Sequence, residues 1–272
     1  IPPNGCNCGI ESYVRGMQAM HSRQPVVPVE DDKRLTRGPA YGQESGVRGQ
    51  QSGEAWPTFR GNSHRTASRD QGIEVSLKPA WQKRFSQSLG TATATADTLY
   101  VGEGGHVLAL DLATGNEKWR HEAAIDSPPT IAGEMVVFGG RDGYVYSLRA
   151  RDGELIWRFL AAPVDRRHVA FGKLESVWPC HGSTLVKDDI VYVAAGRSSF
   201  LDGGISMYGL DLMTGEIRCR QVLKTLQPQE TTRMDTYNTR GALPDIPVTD
   251  GEYLYMRQLR FDWNLKLLSP YH

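Results

Sequence analysis

Tryptophan recurs at a fixed interval through the middle of this chain: Trp81, Trp119 and Trp157 stand 38 residues apart, and Gly115 and Gly153 keep the same spacing. A period of this length marks a repeat architecture, in which each unit buries its apolar face only against its neighbours. Residues 99–120 (LYVGEGGHVLALDLATGNEKWR) and 136–158 (VVFGGRDGYVYSLRARDGELIWR) are two consecutive copies.

Within a copy, runs such as VVF and YVYSL are continuously apolar or alternate with polar residues, and are rich in β-branched and aromatic types, which predicts strands. Short turns separate them, Gly104-Gly105 and Thr114-Gly115 in the first copy, Asp142-Gly143 and Asp152-Gly153 in the second. Glycine suits these places because tight hairpin turns demand positive φ, which a β-carbon opposes. The Trp falls in the last strand, where its ring can wedge against the next unit. Four short strands in one period make a β-propeller blade, so the expected fold is all-β, a propeller of four-stranded blades.

The blades are expected over about residues 89–122, 127–160 and 182–223, with a fourth beginning near Asp245 and lacking room to finish. Trp81 marks a fourth-strand position whose partner strands lie far downstream, as when both chain ends complete one ring. A ring needs roughly four to eight blades. Residues 55–272 therefore read as an incomplete ring, about three complete blades plus parts of two, from a longer protein. Residues 23–54 are polar with scattered Gly and Pro and read as a linker. Residues 1–22, with Cys6 and Cys8, do not match the repeat.

The third blade departs from the period. About 18 extra residues lie in 162–182, about 6 more in 197–204, and a long connection follows in 223–245. In an up-and-down blade these loops emerge on one face, and long loops on a rigid scaffold are where binding residues gather. Charge gives less direction. With 31 basic and 31 acidic residues the formal net charge is zero, which offers no case for nucleic acid or an anionic membrane surface. No apolar run is long enough to span a bilayer. The chain begins at Ile1 rather than Met, leaving an export signal to be sought upstream. Four cysteines are too few for a disulfide scaffold.

The segment ALDLATGNEKW resembles the Trp-docking repeat of the pyrroloquinoline-quinone (PQQ)-type propellers, Ala-x-Asp-x-x-Thr-Gly-x-x-x-Trp, through Ala109, Asp111, Thr114, Gly115 and Trp119. The next copy keeps Asp152, Gly153 and Trp157; the third keeps Asp211, Thr214 and Gly215 but has Cys219 where the Trp belongs. Two groups share this repeat: quinoprotein alcohol dehydrogenases, and exported bacterial propellers such as the BamB-like assembly factors, which carry no cofactor. WPTFRGNSHRTA, DRRHVAFGKLESVWP, AAGRSSFLDGG and GALPDIPVTDGEYLYMRQLRFD look like large multidomain members of the second group. That resemblance implies a non-catalytic binding or scaffold domain, periplasmic or otherwise exported, with residues 1–22 as the tail of an upstream Cys-containing module. The first group implies PQQ with a calcium ion held by carboxylate and amide oxygens, an Asp base, and in many members a disulfide between adjacent cysteines. No adjacent cysteine pair occurs here.

Because they recur with the period, Trp81, Asp111, Thr114, Gly115, Trp119, Asp152, Gly153, Trp157, Asp211, Thr214 and Gly215 are expected to be structural. The candidate binding set lies on the expanded face. Arg166, Arg167, His168, Glu175, Trp178 and His181 share one loop, Arg197 and Asp202 another, and Asp245 and Arg257 flank the start of the fourth blade. Arginines with carboxylates and an aromatic suit an anionic or sugar-like ligand, or a protein segment. Equally, such charges pair with one another and brace long loops. Cys6 and Cys8 suit a disulfide to an upstream module or, more weakly, a metal. No catalytic residue is assigned: no nucleotide-binding Gly loop, Ser-His-Asp order or metal-spaced His cluster stands out.

Overall fold

The computed structural model describes residues 27–43, 55–68, 72, 76–125, 127–170, 172–225 and 242–268, so Cys6, Cys8 and the rest of 1–22 lie outside it. The described residues hold four antiparallel up-and-down blade sheets in sequence order, a separate two-stranded sheet, and no closed ring.

The first strand among the described residues, β1 (Leu35–Arg37), belongs to none of the four units by sequence order. Blade 1 follows as β2 (Thr93–Ala94), β3 (Thr98–Glu103), β4 (His106–Asp111) and β5 (Glu117–Glu122). Blade 2 is β6 (Thr130–Ala132), β7 (Met135–Gly139), β8 (Tyr144–Arg149) and β9 (Leu155–Leu160). The insertion after it folds as a separate hairpin, β10 (Arg167–Ala170) with β11 (Lys173–Ser176). Blade 3 is β12 (Leu185–Lys187), β13 (Ile190–Ala195), β14 (Ile205–Asp211) and β15 (Ile217–Leu223); blade 4 is β16 (Val248–Thr249), β17 (Leu254–Met256), β18 (Leu259–Phe261) and β19 (Leu267–Leu268).

The core lies between blades. Tyr100, Val107 and Trp119 pack against Ile131, Val136 and Phe138 of blade 2. Val137, Val145 and Trp157 meet Val191, Val193 and Leu210 of blade 3, and Tyr192 and Met207 meet Leu254, Met256 and Phe261 of blade 4. The fourth strand of blades 1, 2 and 3 carries a register shift opposite the same point of the third, at Ala109/Leu110, Ser147/Leu148 and Gly209/Leu210. Such a bulge bends the strand locally and re-aims the residue beside it. That residue is Trp119, Trp157 or Cys219, and across from it sits a small partner, Ala109, Ser147 or Gly209.

Each indole docks on the following blade. Nε1 of Trp81 donates to the Leu112 carbonyl at 2.9 Å, that of Trp119 to Ala150 at 2.8 Å, and that of Trp157 to Leu212 at 3.0 Å. The turn beneath is held by Asp111 Oδ1, which accepts from the Thr114 N–H and hydroxyl at 2.9 and 2.8 Å; Asp211 treats Thr214 the same way. These bonds hold the Asp111 carboxyl below its usual range, the Thr114 hydroxyl contributing most. Burial alone would raise Asp211, but Arg218 and Thr214 outweigh it. Blade 2 reverses the chemistry: Arg149 stands at the Asp position and pairs with Asp152 through Nε at 2.9 Å.

Three expectations are corrected. Blade 4 does finish, because strands of two or three residues and tight turns compress the unit into 248–268. Its second turn uses Asp262, whose Oδ1 accepts from the Asn264 and Lys266 N–H groups, with Leu265 at φ 63° where the other blades have glycine. Trp81 sits in no strand, as no described residue pairs with its backbone, yet its ring fills the docking position. Finally, the described part of the linker stretch, 27–43, is built into blade 2. β1 adds to the outer edge of β9, with Leu35 opposite Phe159 and Arg37 opposite Trp157. Arg34, 5% exposed, anchors it by donating to the Leu160 and Ala162 carbonyls at 3.0 and 2.9 Å. A three-residue strand carries too little periodicity to be seen; the open edge of β9 decides it.

The lead-in segment 55–67 ties the inner strands together. Trp56 pairs with Ala94 in blade 1, and the Pro57 carbonyl accepts from Ile131 N of blade 2 at 2.7 Å. Ser63 O accepts from Thr249 N of blade 4 at 3.2 Å. Arg65, 8% exposed, donates to Thr58 Oγ1 at 2.6 Å, to the Thr184 carbonyl of the strand leading into blade 3 at 3.1 Å, and to the Pro247 carbonyl at 3.2 Å. Loss of water around it lowers its pKa to about 10.

Candidate functional site: the expanded loop face

Two loop expansions meet on one face, and the described ends of the third join them there. The β10–β11 hairpin pairs His168 with Glu175, which places both side chains on the same side of the two-stranded ribbon. Arg197, from the β13–β14 loop, reaches them: its Nη2 bonds both His168 Nε2 and Glu175 Oε1, while His168 Nε2 and Glu175 Oε1 are 3.6 Å apart. Glu175 is buried and Arg197 half-buried, so this ion pair is shielded from water more than an ordinary surface pair. Ser199 joins the third expansion. Its carbonyl accepts from Thr225 N at 2.8 Å, its hydroxyl oxygen accepts from Ala242 N at 2.8 Å, and its N–H donates to Ala242 O at 2.9 Å. Thr225 and Ala242 are the two described ends of the long connection.

The other candidates divide. Trp178 is 2% exposed, and its Nε1 donates to the Asp202 carbonyl at 2.8 Å, so both residues lock the hairpin to the β13–β14 loop. Asp202 contributes its backbone there, at φ 52°. Arg166 ties the hairpin base through its main chain, its carbonyl accepting from Val177 N at 2.9 Å. Arg167 is exposed and pairs with Asp165 at 3.1 Å, which holds its pKa up. Asp245 and Arg257 form a separate pair, Nε to Oδ2 3.2 Å. His181 is exposed while Cys180 beside it is 3% exposed. Burial pushes the Cys180 thiol far up, which keeps it protonated and unreactive.

Sequence reasoning passed over a second feature of this face. A cleft of about 300 Å³ opens between blades 1 and 2, bordered by the Gly104–Gly105 turn and by Arg141 and Lys173. The run Gly102-Glu103-Gly104-Gly105 was the available signal. Among the described residues no three His, Cys, Asp or Glu side chains stand close enough to hold a metal ion, and the described cysteines are two separate thiols. Among the described residues no helix is long and apolar enough to cross a membrane.

Up-and-down four-stranded sheets, with each indole seated on the next unit's turn, define a β-propeller of PQQ-like repeats. The family described as outer membrane protein assembly factor BamB matches residues 65–258, and the chain belongs to that family. Among curated relatives, BamB of Burkholderia pseudomallei (strain K96243) is 35% identical over 88 residues, covering 30% of this chain and 23% of the relative. BamB of Bordetella pertussis (strain Tohama I) is 29% identical over 89 residues, covering 32% and 23%. The matched part thus spans less than a quarter of either relative. Among solved structures, quinohemoprotein alcohol dehydrogenase from Comamonas testosteroni superposes with TM-score 0.52 at 14% identity, over 80% of this chain and 41% of that one. Quinohemoprotein alcohol dehydrogenase ADHIIG from Pseudomonas putida HK5 gives 0.53 at 16%, over 77% and 34%. At such identities the likeness is one of fold.

Proposed function

We propose that this chain is a non-catalytic binding or scaffold propeller of an exported protein, and that its expanded loop face takes the partner. One observation carries the reading: the loop expansions converge and are locked together through Arg197 and Ser199, while the Thr-Gly turns of the blades stay short. A scaffold that spends its insertions on one rigid face presents a binding surface there. Its relatives are named as assembly factors, and carrying that over makes the partner a protein and the compartment the cell envelope.

The test uses the full-length protein in its own cell, with a photo-crosslinking residue at His181 or Leu201 on the expanded face, and at Ala113 in a short turn as control. A discrete adduct from the first two and none from Ala113 supports the reading; the reverse pattern overturns it. Addition of PQQ and calcium supplies the second arm. A bound-quinone spectrum with dye-coupled alcohol oxidation would replace the scaffold by a dehydrogenase.

A further inference from the structure

We propose that the contact of Arg197 with His168 and Glu175 is a pH-sensitive latch. It holds the β10–β11 hairpin to the β13–β14 loop while His168 is neutral and releases the loop when His168 takes a proton. Arg197 Nη2 reaches His168 Nε2 and Glu175 Oε1 together. A guanidinium stays charged and offers only N–H donors, so the imidazole nitrogen facing it accepts and carries no proton. His168 is thus neutral in the latched form, with its hydrogen on Nδ1. Protonation puts an N–H where the acceptor was and sets two cations against each other. Glu175 Oε1 stands 3.6 Å from the same nitrogen, and the two residues are register partners across the ribbon, so the imidazolium finds its anion within the hairpin. Glu175 then changes partner from Arg197 to His168.

The hold is narrow. Arg197 Nε is buried and, among the described residues, meets no hydrogen-bond acceptor, so the grip on the hairpin runs through Nη2. What it grips is a ribbon of two four-residue strands, a structure marginal by itself in water. The base of the hairpin is tied elsewhere, by Ser176 N to Arg141 O at 2.7 Å and Val177 N to Arg166 O at 2.9 Å. The bond from Trp178 Nε1 to Asp202 O involves no titrating group and persists at either pH. Release therefore loosens the ribbon and the Arg197 end of the loop, and leaves the far end pinned.

The surrounding charges favour the neutral imidazole. Strand alternation puts Lys173 on the same side of the ribbon as Glu175, with Arg166 two positions before His168. Arg167 pairs with Asp165. The hairpin base packs on the β7–β8 turn, which carries Arg141 and the buried Asp142, whose carboxyl accepts from the Tyr146 hydroxyl. Histidine ordinarily changes charge between about pH 5 and about pH 8. Because the latched form needs the neutral imidazole, the open form binds the proton more readily. The latch is complete above the imidazole's titration and lost as pH falls through it.

Hydrogen exchange of the full-length protein, followed by mass spectrometry at about pH 7.5 and about pH 5.5 and corrected for the intrinsic pH dependence of exchange, is the test. Protection of the β10 and β11 amides is expected to fall about tenfold at the lower pH, the loss of one charge-assisted hydrogen bond, while the β3–β4 amides of blade 1 keep theirs. His168→Gln presents an amide oxygen in place of Nε2 and takes no proton, so the ribbon should stay protected at both values. His168→Lys is cationic at both and should show the lower protection at both. Unchanged protection in the parent, or His168→Lys as protected as the parent at the higher pH, would overturn the latch. So would a fall that persists in His168→Gln, which would assign the response to Asp142. The measurement needs no partner, so its failure leaves the crosslinks that test the partner face untouched.

Discussion

Trp119 covers Gly153, a residue of the next blade. Its Nε1 donates to the Ala150 carbonyl at 2.8 Å, and a β-carbon on Gly153 would stand 2.6 Å from Cδ2 of the ring. Trp157 stands over Gly215, and Trp81 over Gly115, in the same way. Trp119 and Trp157 thus belong by chain to one blade and by contact to the next. Blade-to-blade adhesion is carried by the repeat itself.

Gly153 and Gly42 both sit at φ 73°, but a β-carbon on Gly42 would meet nothing within 4 Å. Gly42→Ala is therefore expected to cost only backbone strain, about 1 kcal/mol, whereas Gly153→Ala adds displacement of the Trp119 ring and costs at least ~2 kcal/mol. Urea denaturation of both variants checks this. Equal losses would show that the docking contact is energetically idle.

Trp157 is fully buried, and Trp157→Ala is expected to destabilise by about 3–5 kcal/mol through a large cavity between blades 2 and 3. Cys219 occupies the matching place in blade 3, and its Sγ lies 3.6 Å from the Trp263 carbonyl. That carbonyl already accepts from the Tyr192 hydroxyl at 2.9 Å. Cys219→Ala is accordingly expected to cost no more than about 1 kcal/mol. Thermal melts of the pair give the comparison.

Arg65 is buried and satisfied by carbonyls and a hydroxyl, with no carboxylate among its recorded partners. Arg65→Met would remove the donor to the Pro247 carbonyl and leave the Thr184 carbonyl with the Thr130 hydroxyl alone, at a cost of at least ~2 kcal/mol. Arg65→Lys, with one nitrogen in place of a fork, should recover only part of it. Full recovery by lysine would show that charge alone, and not the fork, joins the blades.

Burial raises the pKa of Asp142, although the Tyr146 hydroxyl donates to it at 2.5 Å and opposes the shift. A carboxyl whose folded pKa lies above its unfolded one contributes stability that is complete at acid pH and lost as pH rises through the folded value. Asp142→Asn does not titrate. Its stability relative to the parent should therefore climb as pH is raised from about 4 to about 7, read as the difference in denaturation midpoints. A constant or shrinking difference would contradict the assignment.

The blades of 93–122, 130–160 and 185–223 were legible because their signals are local: alternating strands, Gly turns and Trp at one period. The convergence of the expanded loops was legible too, since loop length and strand parity assign a face. What each loop residue does was not. Glu175 and Arg197 are 22 positions apart, and their meeting depends on how the β10–β11 hairpin lies over blade 3. Trp178 gives no sequence sign that its indole is committed to the Asp202 backbone. The cleft was missed because its cations come from different segments than its glycines.

The sequence by itself determined the all-β class, the repeat unit and the side on which insertions gather, because period, turn chemistry and strand parity act within one blade. Tertiary structure alone decided that β1 completes the edge of β9, that Arg65 ties three inner segments together, that blade 4 closes with Leu265 in place of glycine, and that Arg141 and Lys173 share a cleft with Gly104 and Gly105. Those outcomes depend on open edges and buried polar groups finding partners far along the chain, a requirement that is satisfied in space and leaves no period in the sequence.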